Sequence, residues 1–323
     1  MRLLTIIVAI AAALWSGYWV VGSRALDSAA RQFLADQPGA SFASLSVAGF
    51  PSRFDLTVQG VHLESPDGRT VWDAPFAQVF ALTYKPWHVI SALPNTQTLT
   101  IDGQVVTVLS SYLQASVVVT PDRTAGLNRV TVVGRDLMLQ SDQGWTVGVA
   151  SANLATKRDP VKPLTHEIGL RITDLSPDPV VLAGQSVLPP AVELIYADLV
   201  VTLTAPLDRR AGETEPRLAG LTVREMTVTW GSLKLAGQGS VIAGAEGLAE
   251  GRIDWKLENW RELPSALTAL GLIKPENESN VLRVLEVIAA QSPEGAVVAL
   301  PLTFKDGWMD LGPLPLGPAP RLN

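Results

Sequence analysis

The sequence predicts a mainly β chain with a few helices, an α+β protein built as an extended, curved antiparallel meander sheet behind an N-terminal transmembrane helix. Three observations predict it. Apolar and polar residues alternate at a period of two through most of the chain from Phe42 onward. Turns rich in glycine, proline and aspartate punctuate those runs. Ahead of them stands Leu3 to Val21, nineteen residues without a charge or a proline, enough to cross a hydrocarbon layer of about 30 Å as a helix.

That first segment reads as an uncleaved signal anchor, residues 1–22. Its apolar core exceeds the roughly 7–15 residues of a secretory signal, and its alanines (Ala9, Ala11 to Ala13) lie inside the core rather than behind it. Trp15, Tyr18 and Trp19 cluster at its far end, where amphipathic rings favour the headgroup layer. Basic residues flank both ends (Arg2; Arg24 and Arg31), so they set the orientation weakly. A net charge of −6 suits an exported domain better than one pressed against an anionic cytoplasmic leaflet. The expectation is therefore a single-pass bacterial inner-membrane protein with its C-terminal domain in the periplasm.

Residues 23–41 form the second unit, an amphipathic helix and linker. Leu26, Ala29, Ala30, Phe33 and Leu34 make one apolar stripe, ending before Pro38-Gly39. Residues 42–323 are the β-rich domain. In Arg53 to Gln59 the apolar residues Phe54, Leu56 and Val58 alternate; after Gly60, Val61 and Leu63 take the opposite parity, which predicts a β-bulge at Gly60. Pro66-Asp67-Gly68 turns the chain, Phe76 to Tyr84 is a strand, and Trp87 to Leu93 reads as one or two helical turns before Pro94. Strands follow at 98–101, 105–109, 113–120, 129–133, 137–140, 146–154, 167–173, 197–205, 221–230, 232–236 and 250–257. Leu56 to Leu63 is echoed by Val130 to Leu137 and more loosely by Leu221 to Val228, as repeated hairpins of a meander would be. Leu263 to Leu272 and Ser279 to Ala290 predict a helical hairpin covering the sheet. A final β-hairpin, Ala296 to Phe304 and Trp308 to Leu311, turns at Lys305-Asp306-Gly307, and the proline-rich tail 313–320 should stop the sheet edge or lie along it.

Charged residues are only 17% of the 323, against a usual figure of about 25%. Several strands are apolar at consecutive positions: Val105-Val106, Val117 to Val119, Val132-Val133, Val180 to Leu182 and Leu199 to Val201. Such runs imply two covered faces, or one core face and one that meets something other than water. A sandwich interior and an apolar groove both satisfy this.

The chemistry-bearing residues are sparse. There is no cysteine, so disulfides, thiolate metal sites and cysteine nucleophiles are excluded. His62, His88 and His166 are the three histidines, none with a second at metal-ligand spacing. No nucleophile-elbow, phosphate-loop or dinucleotide glycine pattern occurs, and Asp174 and Asp178 bracket a Ser-Pro turn rather than forming a catalytic pair. The acidic balance, without basic runs, excludes nucleic acid. Trp72, Trp87 and His88 lie in a block rich in prolines and turns, where aromatic residues close a core; Trp87 is read as buried, and His88 as exposed and without a partner. The expectation is a non-enzymatic protein with no catalytic, cofactor-binding or metal-ligating residue and no cofactor.

The run Gly49-Phe-Pro-Ser-Arg-Phe54, then Leu63 to Gly68, Trp72-Asp-Ala-Pro75, Tyr84-Lys-Pro-Trp-His-Val89 with Leu93-Pro94, and Phe304 to Leu316 resemble the membrane-anchored bacterial family catalogued as domain of unknown function 2125. The resemblance covers nearly the whole chain and implies a Gram-negative envelope protein with an inner-membrane helix and a periplasmic domain; it implies no activity and no binding residue. More remotely, the anchor followed by long β meanders with glycine-rich turns (Gly244 to Gly251) is similar to the AsmA-like envelope proteins, which implies a curved sheet that holds lipid tails. The expected function is to hold or transfer lipid or another apolar envelope component along the valine-rich strands, with a structural or adaptor module acting through its surface as the alternative.

Overall fold

The computed structural model describes residues 1–176, 188–269, 272–290 and 297–323. Helix α1 (Arg2–Ala35) is continuous for 34 residues. The anchor and the amphipathic segment, expected as separate units, are one rod: Gly22, the weak point between them, is held where a β-carbon would stand 2.6 Å from the Phe54 ring. The helix stops ahead of Pro38, as its sequence requires.

Among the described residues, eighteen strands follow in a single antiparallel sheet. β1 (Ala40–Ser41) and β2 (Ser44–Ala48) edge β3 (Arg53–Glu64), which pairs with β4 (Thr70–Leu82). There the ladder divides. One end of β4 pairs with β5 (Lys85–Ala92) and β5 with β8 (Tyr112–Val119); the other end pairs with β6 (Thr96–Ile101) and β6 with β7 (Gln104–Leu109). Both branches rejoin on β9 (Leu127–Ser141). A plain meander then runs through β10 (Thr146–Arg158), β11 (Thr165–Ser176), β12 (Val192–Leu203), β13 (Leu218–Trp230), β14 (Leu233–Ala243), β15 (Ala249–Glu258), β16 (Val297–Lys305), β17 (Trp308–Leu311) and β18 (Leu314–Pro318), each paired with the one before. A short α2 (Ala211–Thr214) precedes β13, and α3 (Leu263–Ala269) and α4 (Glu278–Ala289) separate β15 from β16.

Most expected strands are present, generally longer. One segment differs in kind: of residues 87–93, expected helical, 87–92 belong to strand β5, because Val89 and Ile90 find partners on both sides, Ala81 and Phe80 on β4 and Val117 and Ser116 on β8. The β6–β7 and β16–β17 turns place Asp102-Gly103 and Asp306-Gly307 at positive φ, the conformation that two-residue hairpin turns demand. The proline-rich tail lies along the edge as β18. Val180 to Leu182, Asp178, residues 270–271 of the first helix of the hairpin and Ala296 of the final strand lie outside the described residues.

The predicted bulge at Gly60 is replaced by a kink. Gln59 pairs with Phe76 and Val61 with Ala74, so the register is unchanged across it; Gly60, at φ 60°, and the facing Pro75 simply leave the ladder. The buried parity nevertheless switches from Phe54, Leu56 and Val58 to Val61. The echoed segments behave alike. In β9 it is Asp136, at φ 48°, that leaves the ladder, and β13 shifts register between Val223 and Met226. What repeats along the chain is a strand interrupted near its middle.

Three apolar clusters form the core. Leu45, Leu56, Val58, Val61 and Ala74 pack under Leu26, Ala30 and Leu34 of α1. Val223, Val241, Ala249, Ile253, Phe304 and Ala319 make the second. The third joins Trp230, Leu257 and Val298 on the sheet to Trp260 and to Ala266, Leu285 and Ile288 of the helical hairpin. Gly237 is part of this packing, since its missing β-carbon would run into the Trp255 ring. Gly237→Ala is expected to cost about 1–3 kcal/mol through overpacking, read as a lower urea midpoint with an altered near-ultraviolet tryptophan signal.

Candidate functional site

Residues directly opposite in an antiparallel ladder project from the same face, so the register identifies what each face carries. From β3 to β16 one row reads Leu56, Val79, Ser91, Ala115, Val132, Leu154, Leu170, Ala197, Met226, Gly237, Trp255, Leu300. Its neighbour reads Phe54, Ala81, Val89, Val117, Val130, Thr156, Ile168, Leu199, Val223, Gly239, Ile253, Leu302. Neither row holds a charge, and each holds one hydroxyl. At about 4.8 Å per strand the double row is roughly 50 Å long.

The other face is polar. A row there reads His88, Val118, Arg129, Lys157, Glu167, Val200, Thr222, Ser240, Arg252, Thr303. Arg224 bridges Glu167 at 2.8 Å and Asp198 at 3.6 Å, and Arg171 lies 5.0 Å over the Tyr196 ring. The consecutive valines therefore need no second buried face: Val118 and Val200 sit among charged neighbours. The strands form one sheet, not the closed sandwich that the apolar runs also allowed.

The two ends of the apolar lane are covered differently. At the first, Leu26, Ala30 and Leu34 of α1 close over β2 to β4. At the second, α3 and α4 roof the sheet and leave a cavity of about 380 Å³ lined by Trp230, Leu235, Trp255, Leu263, Ala266 and Leu311, among others, within the range of small-ligand sites. Between them, over β5 and β8 to β11, the lane residues belong to none of the three cores, and Leu154 is 38% exposed. No sequence-local signal marks this lane, because each strand contributes only one or two residues to it.

The aromatic residues near the end of the apolar run serve as a joint. Trp15 Nε1 donates to the Pro51 carbonyl at 2.8 Å, Tyr18 Oη to that of Thr83 at 2.7 Å and Trp19 Nε1 to that of Arg53 at 2.8 Å. Their rings pack on Phe50 and Phe54, with centroids 5.5 Å apart for Trp19–Phe50 and 6.4 Å for Tyr18–Phe54.

The remaining candidates separate. Trp72 packs on the first core and donates to Gln97 Oε1 at 2.7 Å. Trp87 is only half-buried and lies in none of the three cores, so truncating it should cost less than the full price of a buried indole. His88, expected exposed and alone, is half-buried and bonded to Ser116 Oγ at 2.9 Å. His62 meets Asp73 at 2.7 Å on the exposed surface. Asp174 lies within β11 at φ 50° rather than in a turn. Among the described residues no three histidine, aspartate or glutamate side chains converge as metal ligands.

His166 is 3% exposed, and its Nδ1 has no hydrogen-bond partner among the described residues. Burial, followed by the charge of Arg158, holds its pKa below the ordinary value. Unfolding releases that restraint, so the unfolded chain takes up the proton first, near pH 6.5. His166 therefore contributes stability above that pH, lost as pH falls through about 6.5 toward the lower folded value. Urea melts are expected to show this decline, and His166→Gln should flatten it.

The family model described as "Uncharacterized protein conserved in bacteria (DUF2125)" matches residues 19–320. No curated protein and no solved structure matches the chain.

Proposed function

Starting from the fact that this chain belongs to the DUF2125 family of bacterial proteins, we propose that it is a non-enzymatic, single-pass envelope protein that holds or passes an acyl chain along its apolar sheet face. Helix α1 is long and apolar enough to cross a membrane. In this reading it remains attached, because Trp15, Tyr18 and Trp19 are bonded into the domain, and the acidic β domain stands on the periplasmic side of the inner membrane. One observation carries the reading: two uncharged rows cross twelve strands from α1 to the cavity under α3, with a stretch between that, among the described residues, belongs to none of the three cores. An acyl chain is the envelope component whose chemistry fits such a surface.

The test is photo-crosslinking in cells, with p-benzoylphenylalanine at Leu154 or Val132 on the lane and at Tyr196 on the polar face. Lipid-mass adducts from the lane positions and none from Tyr196 are expected. Protein adducts from Tyr196 with a silent lane would overturn the reading in favour of an adaptor. Placement is tested separately: a phosphatase reporter after Asn323 should be active and the intact mass should retain residues 1–22, whereas a soluble form beginning near Gly22 would remove the anchor.

A further inference from the structure

We infer that the end of the sheet beside α1 is itself a membrane-binding surface, with Phe50 and Tyr84 seated in the lipid headgroup layer around the helix. The inference rests on α1 crossing the bilayer and not on the acyl-chain lane.

The uncharged run of α1 is bounded by Arg2 and Arg24, and its Leu3 to Val21 portion measures about 28 Å at 1.5 Å per residue. The hydrocarbon layer is about 30 Å thick. The whole run is therefore needed to cross it, and tilting the helix shortens its reach further. Yet the β domain does not wait for the run to end. It grips the helix from Trp15, through the carbonyls of Pro51, Arg53 and Thr83, and Phe54 packs against Gly22. From Trp15 to Val21 the helix rises about 10 Å, so the domain's tip overlaps the membrane by about that depth, the depth at which interfacial segments lie.

The tip has the composition such a position requires. Phe50 is 56% exposed and Tyr84 62% exposed, large rings left in contact with no core. They stand on the two loops that bond α1, Gly49 to Ser52 and Thr83-Tyr84, and Phe50 meets Trp19 edge-on. Exposed Lys85 stands beside them, with a stem long enough to carry its charge to lipid phosphates from apolar surroundings, while exposed Arg53 is held by Asp55 at 2.8 Å. Exposed aromatic rings with a lysine beside them match the headgroup layer.

The chain has no cysteine, so Phe50→Cys, Tyr84→Cys and Ile101→Cys each give one attachment point for a nitroxide. Ile101 is 44% exposed and pairs with Thr70 at the far end of β4, roughly 40 Å along the strands from the tip. The full chain would be reconstituted in vesicles of phosphatidylethanolamine and phosphatidylglycerol, and collision with oxygen compared with collision with a water-soluble nickel chelate. Labels at positions 50 and 84 are expected to favour oxygen several-fold over the label at 101. Equal chelate access at all three, in vesicles that retain the protein, would overturn the inference while leaving the lane untouched. Should either aromatic substitution disturb folding by circular dichroism, Ser52→Cys in the first loop and Lys85→Cys, next to Tyr84 at the start of β5, give the same two outcomes.

Discussion

Replacing Trp260 by alanine is expected to lower the unfolding free energy by about 3–5 kcal/mol, the cost of truncating a fully buried indole. Trp260 is 1% exposed, in the 3-10 turn Trp260–Glu262 that leads into α3, and it belongs to the same core as Leu257, Val298, Leu285 and Ile288. It is the point at which both helices of the hairpin meet the sheet. The Arg261 guanidinium lies over its ring, 4.3 Å from the centroid. Urea titration followed by tryptophan fluorescence measures the loss; a change below about 1 kcal/mol would mean that the hairpin is not anchored where the packing places it. The same truncation at Trp87, half-buried and outside the cores, is the natural comparison.

Leu154→Glu is expected to reduce lipid capture on the lane by at least tenfold while leaving stability within about 1 kcal/mol of the parent chain. At 38% exposure the carboxylate reaches water in the free protein, so folding does not require its burial. An acyl chain laid across the row would cover it between Val132 and Leu170, its partners on the adjoining strands. Desolvating an unpaired carboxylate costs several kcal/mol, and 1.4 kcal/mol already amounts to a factor of ten. Leu154→Met, apolar and similar in volume, should capture lipid normally. Unchanged capture by the glutamate variant would show that the lane is not the path.

The elements were largely legible because they depend on local pattern, whereas the lane depends on register. The N-terminal apolar helix, the meander, the helical hairpin and the Asp306-Gly307 turn each have a signal within a few consecutive residues. Residues 87–93 misled because Pro86 and Pro94 bracket a short segment whose strand character lies in distant partners, Phe80 and Val117 among them. The valine runs misled in a related way. Val117 and Val118 look alike in sequence, yet one pairs with Val130 on the apolar row and the other with Arg129 on the polar one. Trp15, Tyr18 and Trp19 read from the sequence as aromatics suited to a headgroup layer, but nothing in the sequence shows that their N–H and O–H groups are taken by carbonyls of the 51–83 region.

The division and reunion of the ladder between β4 and β9 has a mechanical consequence. From β10 onward each strand is laddered only to the strands beside it, a near one-dimensional array tied across by a few bonds such as Leu127 N–H to the Leu207 carbonyl at 2.7 Å and Leu322 N–H to the Gly247 carbonyl at 2.7 Å. At β4 to β9 two half-width paths run in parallel, through β5 and β8 and through β6 and β7, and one can yield while the other holds. A sheet loaded at its α1 end thus has a built-in compliant link there, able to flex without parting the β1–β4 module on α1 from the long meander beyond it.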